Sequence, residues 1–191
     1  MSRNSRRAWE SQEPFQSAST QYEKSMTSNQ TSTEDEIRLL ELDSLSAQKW
    51  AKEGRVEEWV HKYLLSGRGG KSNPEFSEGL KREKRWWNGP VELSLKDLSP
   101  AVGTEPGMEY VVDKDHWYAW TSKLAKSFSN PGSLPPLIAE YRAGELSIRD
   151  GNTRYGAMRY LEWPKCWVII WYNSESDYHR HNEILFGHKM A

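Results

Sequence analysis

Hydrophobic side chains recur with helical spacing in the stretch that follows residue 35. Five of them fall at positions i, i+3, i+4, i+7 and i+8: Val56, Trp59, Val60, Tyr63 and Leu64. This spacing puts them on one face of an α-helix, which the run GRGGKS (residues 67–72) ends. The run lacks the spacing of a Walker phosphate loop and follows a helix, so we interpret it as a helix cap and surface loop. The pattern predicts a helical extension over residues 36–89.

The second half of the chain has apolar positions that alternate with polar ones or form short runs. Four segments are predicted to be strands: Val91–Leu95, Leu137–Ala139, Leu146–Ile148 and Trp167–Tyr172. Two helices are predicted between them, one with Trp117, Trp120, Leu124 and Phe128 on one face and one from about Asn152 to Leu161. We expect the strands to share one small mixed sheet with the second helix packed on it. This is an α/β (α+β) fold over residues 90–173.

The two ends of the chain lack such patterning. Residues 1–35 are rich in Ser, Thr, Gln and Asn and contain few aliphatic side chains, so they are predicted to form a disordered leader. Residues 174–191 are predicted to form a polar tail, which holds three of the five histidines.

Composition and charge narrow the class of protein. The net charge of -1 gives no basic excess for nucleic acid, so DNA is a possible but not a favoured partner. The single cysteine, Cys166, excludes a disulfide framework and fits a reducing, cytoplasmic location. No apolar run approaches the roughly 18 residues of a membrane span, so no membrane partner is expected.

The DGNTR turn, which starts at Asp150, carries the clearest chemistry. A strand that stops at Gly151 and a helix that starts at Asn152 leave backbone N–H groups unpaired, and the helix dipole adds partial positive charge there. Gly151 lets a ligand approach closely, Asn152 and Thr153 add short polar side chains, and Arg154 adds a guanidinium suited to phosphate. These four residues are therefore predicted to bind a phosphate or another anion. The alternative is an ordinary turn, with Thr153 as a cap and Arg154 paired to an acid.

One segment, Pro135–Leu161, resembles the signature of the ParB/sulfiredoxin superfamily. Its sequence, PPLIAEYRAGELSIRDGNTRYGAMRYL, gives a strand after a proline pair, a strand that ends in DG, and a helix that opens with a polar pair and Arg. WAKEGRVEEWVHKYLL (Trp50–Leu65) and the GTEPGM loop (Gly103–Met108) extend the similarity to ParB N-terminal-like and ParB-like nuclease proteins. The resemblance implies a phosphate-binding domain whose cofactor is a nucleotide (ATP, ADP or CTP) with Mg²⁺.

Two departures from the family pattern bear on the chemistry. Relatives usually carry DGNHR, and Thr153 stands where they have a His that is thought to touch phosphate. This favours a binding role over catalysis. Asn152 stands where sulfiredoxins have their catalytic Cys, which argues against sulfiredoxin chemistry. The GERRY form and the helix-turn-helix region of ParB are also absent.

Three functions therefore stay open. The first is nucleotide-dependent phosphotransfer or hydrolysis, with Glu105 as general base. Asp150 would help to hold Mg²⁺ there, or would simply form the turn. The second is a degenerate, non-catalytic binding module, and the third is a ParB-like DNA-binding or nuclease protein. His179, His181 and His188 are a further, weaker candidate for a metal site.

Overall fold

A computed structural model describes residues 42–187. Its helices are α1 (Ser44–Lys52), α2 (Val56–Ser66), α3 (Pro74–Lys81), α4 (Lys114–Ala125), α5 (Asn152–Tyr160) and α6 (Glu175–Phe186). None of these helices, all of them within residues 42–187, is long and apolar enough to cross a membrane. The predicted disordered leader, residues 1–35, lies outside the described residues.

The strands form a mixed five-stranded sheet and a small two-stranded one. They are β1 (Trp86–Ser94), β2 (Ser99–Pro100), β3 (Val102–Gly103), β4 (Tyr110–Val111), β5 (Leu137–Arg142), β6 (Glu145–Asp150) and β7 (Lys165–Tyr172). The large sheet has the order β1-β7-β5-β6-β2, and β3 pairs with β4. β7 runs antiparallel to β1 and parallel to β5, whereas β5 and β6 form an antiparallel hairpin.

Alternation along the central strands divides the core between the two faces of the sheet. Ile138 and Ile169 face α1–α3 and pack with Trp59, Val60 and other buried side chains of those helices. The residues next to them along β5 and β7 face the other way and pack with Tyr155 and Met158 of α5. Helices therefore cover the sheet on both sides, which explains why β7 is a nearly continuous apolar run.

The predicted arrangement of strands is confirmed. All four predicted strand segments lie in the large sheet, in β1, β5, β6 and β7, except that β1 ends at Ser94, one residue before the predicted Leu95, and α5 packs on that sheet. The fold is mixed α/β, as the patterning indicated. β1 begins earlier than predicted, at Trp86, so the tryptophan pair that was assigned to the helical extension belongs to the sheet.

The segment that was predicted to be a polar tail contains a helix. α6 spans Glu175–Phe186 and starts at Ser174, whose side chain accepts a hydrogen bond from the Asp177 backbone N–H. Tyr178 and Leu185 pack on the core of the sheet, and His181 is buried beside them. A mostly polar sequence folds here because three side chains at helical spacing are enough to dock it.

His181 makes the closest contacts between α6 and the sheet. Its ring stacks on Tyr141 with the centroids 4.1 Å apart, and its Nδ1 lies 2.8 Å from the Tyr172 hydroxyl. Burial lowers the pKa of His181 below its ordinary value, so the ring is neutral at pH 7.

Acidification is expected to destabilise the protein through this contact. When the pKa of a histidine is lower in the folded than in the unfolded chain, the unfolded chain binds more protons than the folded one once the pH falls below about 6.5. Acid therefore favours the unfolded chain. The free energy of unfolding, measured by urea denaturation, should therefore fall between pH 7 and pH 5. His181→Gln should reduce this loss but not abolish it, because burial also lowers the pKa of His61. The control His179→Gln, at an exposed position of the same helix, should keep the full pH dependence.

Candidate functional site

The DGNTR turn has the backbone geometry that the sequence indicated. β6 ends at Asp150, Gly151 adopts the left-handed conformation with a φ of 94°, and α5 begins at Asn152. The first backbone hydrogen bond of the helix runs from the Tyr155 N–H to the Gly151 carbonyl at 2.8 Å. The three N–H groups before Tyr155 thus have no acceptor within the helix, and no side chain caps it.

This helix start opens into a cleft of about 770 Å³. Three parts of the chain line what we call the main cleft: Gly69–Lys71, the end of α4 with Trp120, Lys123, Leu124 and Ser127, and Asp150–Arg154. The GRGGKS run, which the sequence led us to treat as a surface loop, is therefore one wall of the main cleft. Its role there differs from that of a Walker loop, because it follows α2 rather than a strand.

Two lysines give the main cleft its free positive charge. Lys71 and Lys123 are exposed, and within residues 42–187 neither forms an ion pair. The hydroxyl of Thr153, which also lines the cleft, has no hydrogen-bond partner in that range. Backbone N–H groups, one hydroxyl and two ammonium groups therefore line the same cleft, a set of donors that suits an anion.

Arg154 is held in a buried ion pair, and this corrects the prediction that its guanidinium is available to fork onto a phosphate. The residue is 6% exposed, and its Nη2 lies 2.9 Å from the Asp150 carboxylate. The same nitrogen donates to the Pro136 carbonyl at 3.3 Å, and Nη1 donates to the Tyr63 hydroxyl at 2.6 Å. The paired alternative for Arg154 therefore describes the structure, and Arg154 acts on the cleft by holding the turn in place.

Tyr63 completes this network from the other side of the turn. Its hydroxyl donates to the Asp150 carboxylate at 3.0 Å while it accepts from Arg154. Burial raises the pKa of Tyr63 above its ordinary value, so the hydroxyl keeps the proton that it donates. Asp150 is thereby engaged by two donors, which leaves the role of Mg²⁺ ligand without support in its contacts. Within residues 42–187, no group of three or more His, Cys, Asp or Glu side chains is placed to hold a metal ion.

The Asn152 side chain is also used within the protein. Its Oδ1 accepts hydrogen bonds from the N–H groups of Ala101 and Val102 at 2.9 and 3.2 Å, and its Nδ2 donates to the Ile148 carbonyl at 3.1 Å. The prediction that this amide faces an anion is therefore corrected. Only its backbone N–H remains for a ligand, and the side chain fastens the start of the loop that follows β2.

Glu105 lies in a different cleft from the DGNTR turn. It lines a cavity of about 480 Å³, which we call the second cleft, between the loop after β2, α4 and the second turn of α5. In the part of the chain that the structure describes, no residue lines both clefts. The role of general base would require this loop to lie beside the turn. The loop instead lines the second cleft, and the Asn152 amide holds its start at Ala101 and Val102. The structure therefore does not place Glu105 beside the predicted phosphate site.

Sequence reasoning did not identify several residues that shape the main cleft. Lys71 and Lys123 are separated from the turn by about 80 and 30 residues of chain, and nothing in their local sequence points to it. Trp120 was predicted to lie on the buried face of α4, but it is 58% exposed and lines the cleft. α4 instead packs through Thr121 and Ala125, which fall one residue after two of the predicted positions.

Comparisons with known proteins found solved structures that are similar to about half of this chain. One is sulfiredoxin from Arabidopsis thaliana, which is 21% identical, with a TM-score of 0.34 and coverage of 48% of this chain and 93% of that one. Another is the C-terminally truncated chromosome-partitioning protein ParB from Caulobacter crescentus, complexed with CTP-gamma-S. It is 14% identical, with a TM-score of 0.31 and coverage of 50% of this chain and 51% of that one. No family model and no curated protein matches.

Proposed function

We propose that this protein binds a nucleotide in the main cleft, with the phosphates at the start of α5. The observation that carries the proposal is the row of backbone N–H groups at Asn152, Thr153 and Arg154, which has neither a helical acceptor nor a side-chain cap and opens into a cleft with two unpaired lysines. A phosphate would accept hydrogen bonds from these groups and gain from the positive end of the helix dipole. Because Asp150 and Arg154 neutralise one another, Lys71 and Lys123 leave the cleft with an excess of positive charge.

Trp120 favours a nucleotide over inorganic phosphate. The exposed indole and the half-buried Leu124 line the cleft on α4, together with Lys123. An indole that stays exposed is a platform for a flat base, and base stacking on aromatic side chains contributes about 1–3 kcal/mol per base. ATP, ADP and CTP, each with Mg²⁺, are the ligands to test first.

The proposal is for binding and includes no catalytic step. Phosphotransfer or hydrolysis would need a base near the acceptor, and Glu105, the candidate from sequence, lines the other cleft. With Thr153 in place of the His found in relatives, the turn keeps donors for a phosphate but presents no imidazole. A non-catalytic nucleotide-binding module is the function that the geometry supports best.

Lys123→Gln is expected to weaken nucleotide binding about tenfold, or about 1.4 kcal/mol, because the cleft loses one of its two unpaired cations. Isothermal titration with ATP, ADP, CTP and pyrophosphate, each with and without Mg²⁺, measures the change. Lys126→Gln is the matched control, since Lys126 is an exposed lysine three residues further on that lines neither cleft. Equal affinity of the two variants for every ligand, or no binding by the unaltered protein, would overturn the proposal.

Trp120→Ala should weaken nucleotide binding by about 1–3 kcal/mol and leave pyrophosphate binding unchanged, because pyrophosphate has no base to stack. The same titrations measure both affinities. Tyr110→Ala serves as the control, since Tyr110 of β4 is a similarly exposed aromatic residue that lines neither cleft. A parallel loss of pyrophosphate affinity would show that Trp120 supports the cleft rather than the base.

A further inference from the structure

The second cleft has the size and the fixed walls of a separate binding site. It lies between the loop after β2, α4 and the second turn of α5, and it encloses about 480 Å³, enough for a small organic molecule. Asn152 fastens one wall by accepting hydrogen bonds from Ala101 and Val102. α4 and α5 meet closely at its floor, where a Cβ on Gly156 would lie 2.8 Å from Thr121 and 2.9 Å from Trp117. The cleft is therefore bounded by fixed parts of the fold.

The charges that line the second cleft favour an anion. Arg159 is exposed, and one of its N–H groups donates to the Tyr155 hydroxyl at 3.2 Å. Within residues 42–187, neither Arg159 nor Lys96 forms an ion pair with a carboxylate, and Glu105 is the only carboxylate among the lining residues. Two unpaired cations against one carboxylate leave positive charge, and the planar guanidinium is suited to a carboxylate or a phosphate.

Aromatic side chains supply the rest of the lining. Trp117 and Tyr155 lie toward the interior, while Tyr118 and Tyr160 are about half exposed at the rim. Large aromatic side chains are usually buried, because burial removes much apolar area from water. Aromatic side chains that stay exposed next to unpaired cations can instead contact the flat ring of a ligand. A ligand that matches both the aromatic side chains and the cations carries a ring and a negative charge.

We propose that the second cleft is a distinct binding site for a small organic anion that carries a planar ring. The ring lies against the aromatic side chains, and the carboxylate or phosphate of the ligand binds Arg159 with Lys96 nearby. Glu105 lowers the affinity of this site for anions, since it brings negative charge to the same rim. Within residues 42–187 the two clefts share no lining residue, so a ligand in the second cleft is expected not to compete with a nucleotide in the main cleft.

The probes are 2-naphthoate and 2-naphthyl phosphate, with the neutral 2-naphthalenemethanol for comparison, titrated into the full chain by calorimetry. At least one anion should bind, at least tenfold more tightly than the alcohol, and the preferred anion identifies the charged group. Arg159→Gln should weaken anion binding about tenfold, and Glu105→Gln should strengthen it several-fold. Arg142→Gln, which removes an exposed arginine outside both clefts, should change nothing.

Three results would overturn the proposal: no binding of either anion, equal binding of the alcohol, or an affinity that Arg159→Gln leaves unchanged. Displacement of the probe by pyrophosphate, or its loss in Lys123→Gln instead of Arg159→Gln, would place the probe in the main cleft and would also count against a second site. Failure of the nucleotide proposal looks different, because it abolishes pyrophosphate and nucleotide binding while the naphthyl anions still bind. Thermal unfolding checks that each variant is folded, which the exposure of Arg159 and Glu105 leads us to expect.

Discussion

Asp150→Asn is expected to lower the free energy of unfolding by about 3–5 kcal/mol, the usual loss when one partner of a buried ion pair is removed. Arg154 is almost entirely buried, and besides the neutral amide of the new Asn its charge would then face the Tyr63 hydroxyl and the Pro136 carbonyl. Neither group carries a negative charge, and the guanidinium does not lose its proton at accessible pH. The cost is therefore that of an uncompensated cation inside the protein.

Urea denaturation measures this loss. Glu92→Gln, which breaks the exposed ion pair between Glu92 and Lys165, is the control and should change stability by less than about 1 kcal/mol. The double variant Asp150→Asn with Arg154→Met should be less destabilised than Asp150→Asn alone, because it removes the stranded charge as well. A loss below about 1 kcal/mol for the single variant, or simple additivity in the double one, would contradict the account of the pair given above.

Gly151→Ala is expected to destabilise the protein by about 3 kcal/mol, from two causes. A φ of 94° is strained for any residue with a Cβ, at about 1–2 kcal/mol. The added Cβ would also lie 2.5 Å from Leu137 Cδ2 and 2.7 Å from Arg154 Nη2, and overpacking of this kind typically costs a further 1–3 kcal/mol. To relieve the second contact, the Arg154 guanidinium would have to move and disturb its ion pair with Asp150, which holds the turn. Nucleotide affinity should therefore fall as well.

Gly144→Ala separates the two causes. Gly144 has a φ of 90°, nearly the same as Gly151, but a Cβ there would meet nothing within 4 Å. It should therefore lose only the backbone part, about 1–2 kcal/mol, and keep the nucleotide affinity of the unaltered protein. If chemical denaturation gives equal losses for the two variants, the tight packing around the turn contributes nothing and the argument from Gly151 is wrong.

The sequence predicted what depends on neighbours along the chain. Alternation and continuous apolar runs located β1, β5, β6 and β7, and the DG pair located the start of α5 within one residue. These features follow from the periodicity of strands and from local turn chemistry, both of which can be seen in a short window of sequence. α6 also has a local signal, because Ser174 and Asp177 stand three apart at its start, but the prediction of a polar tail rested on composition and did not include it.

The chemistry of the candidate site depended on partners that lie far along the chain. Tyr63 is 91 residues from Arg154, and its hydroxyl decides that the guanidinium points into the protein rather than toward a ligand. Asn152 holds Ala101 and Val102 about 50 residues away, and in doing so directs Glu105 into the other cleft. A short stretch of sequence around the DGNTR turn does not contain these partners. The motif therefore predicted the strand–turn–helix backbone correctly but assigned the Asn152 and Arg154 side chains to a ligand, whereas both bind other parts of the protein.

The position of β7 inside the large sheet has a consequence for how the chain folds as it is synthesised. Among the strands of residues 42–187, β1 pairs only with β7, and the register joins Trp86 to Tyr172. β1 therefore leaves the ribosome long before β7, its pairing partner. The backbone N–H and C=O groups of β1 have no strand to pair with while the intervening residues are added. β7 also pairs in parallel with β5, so the same late strand joins β1 to the rest of the sheet. Contacts this distant along the chain slow folding and expose strand edges in the interval. The β5–β6 hairpin can form early, whereas β1 is expected to join the sheet late, once residue 172 is available.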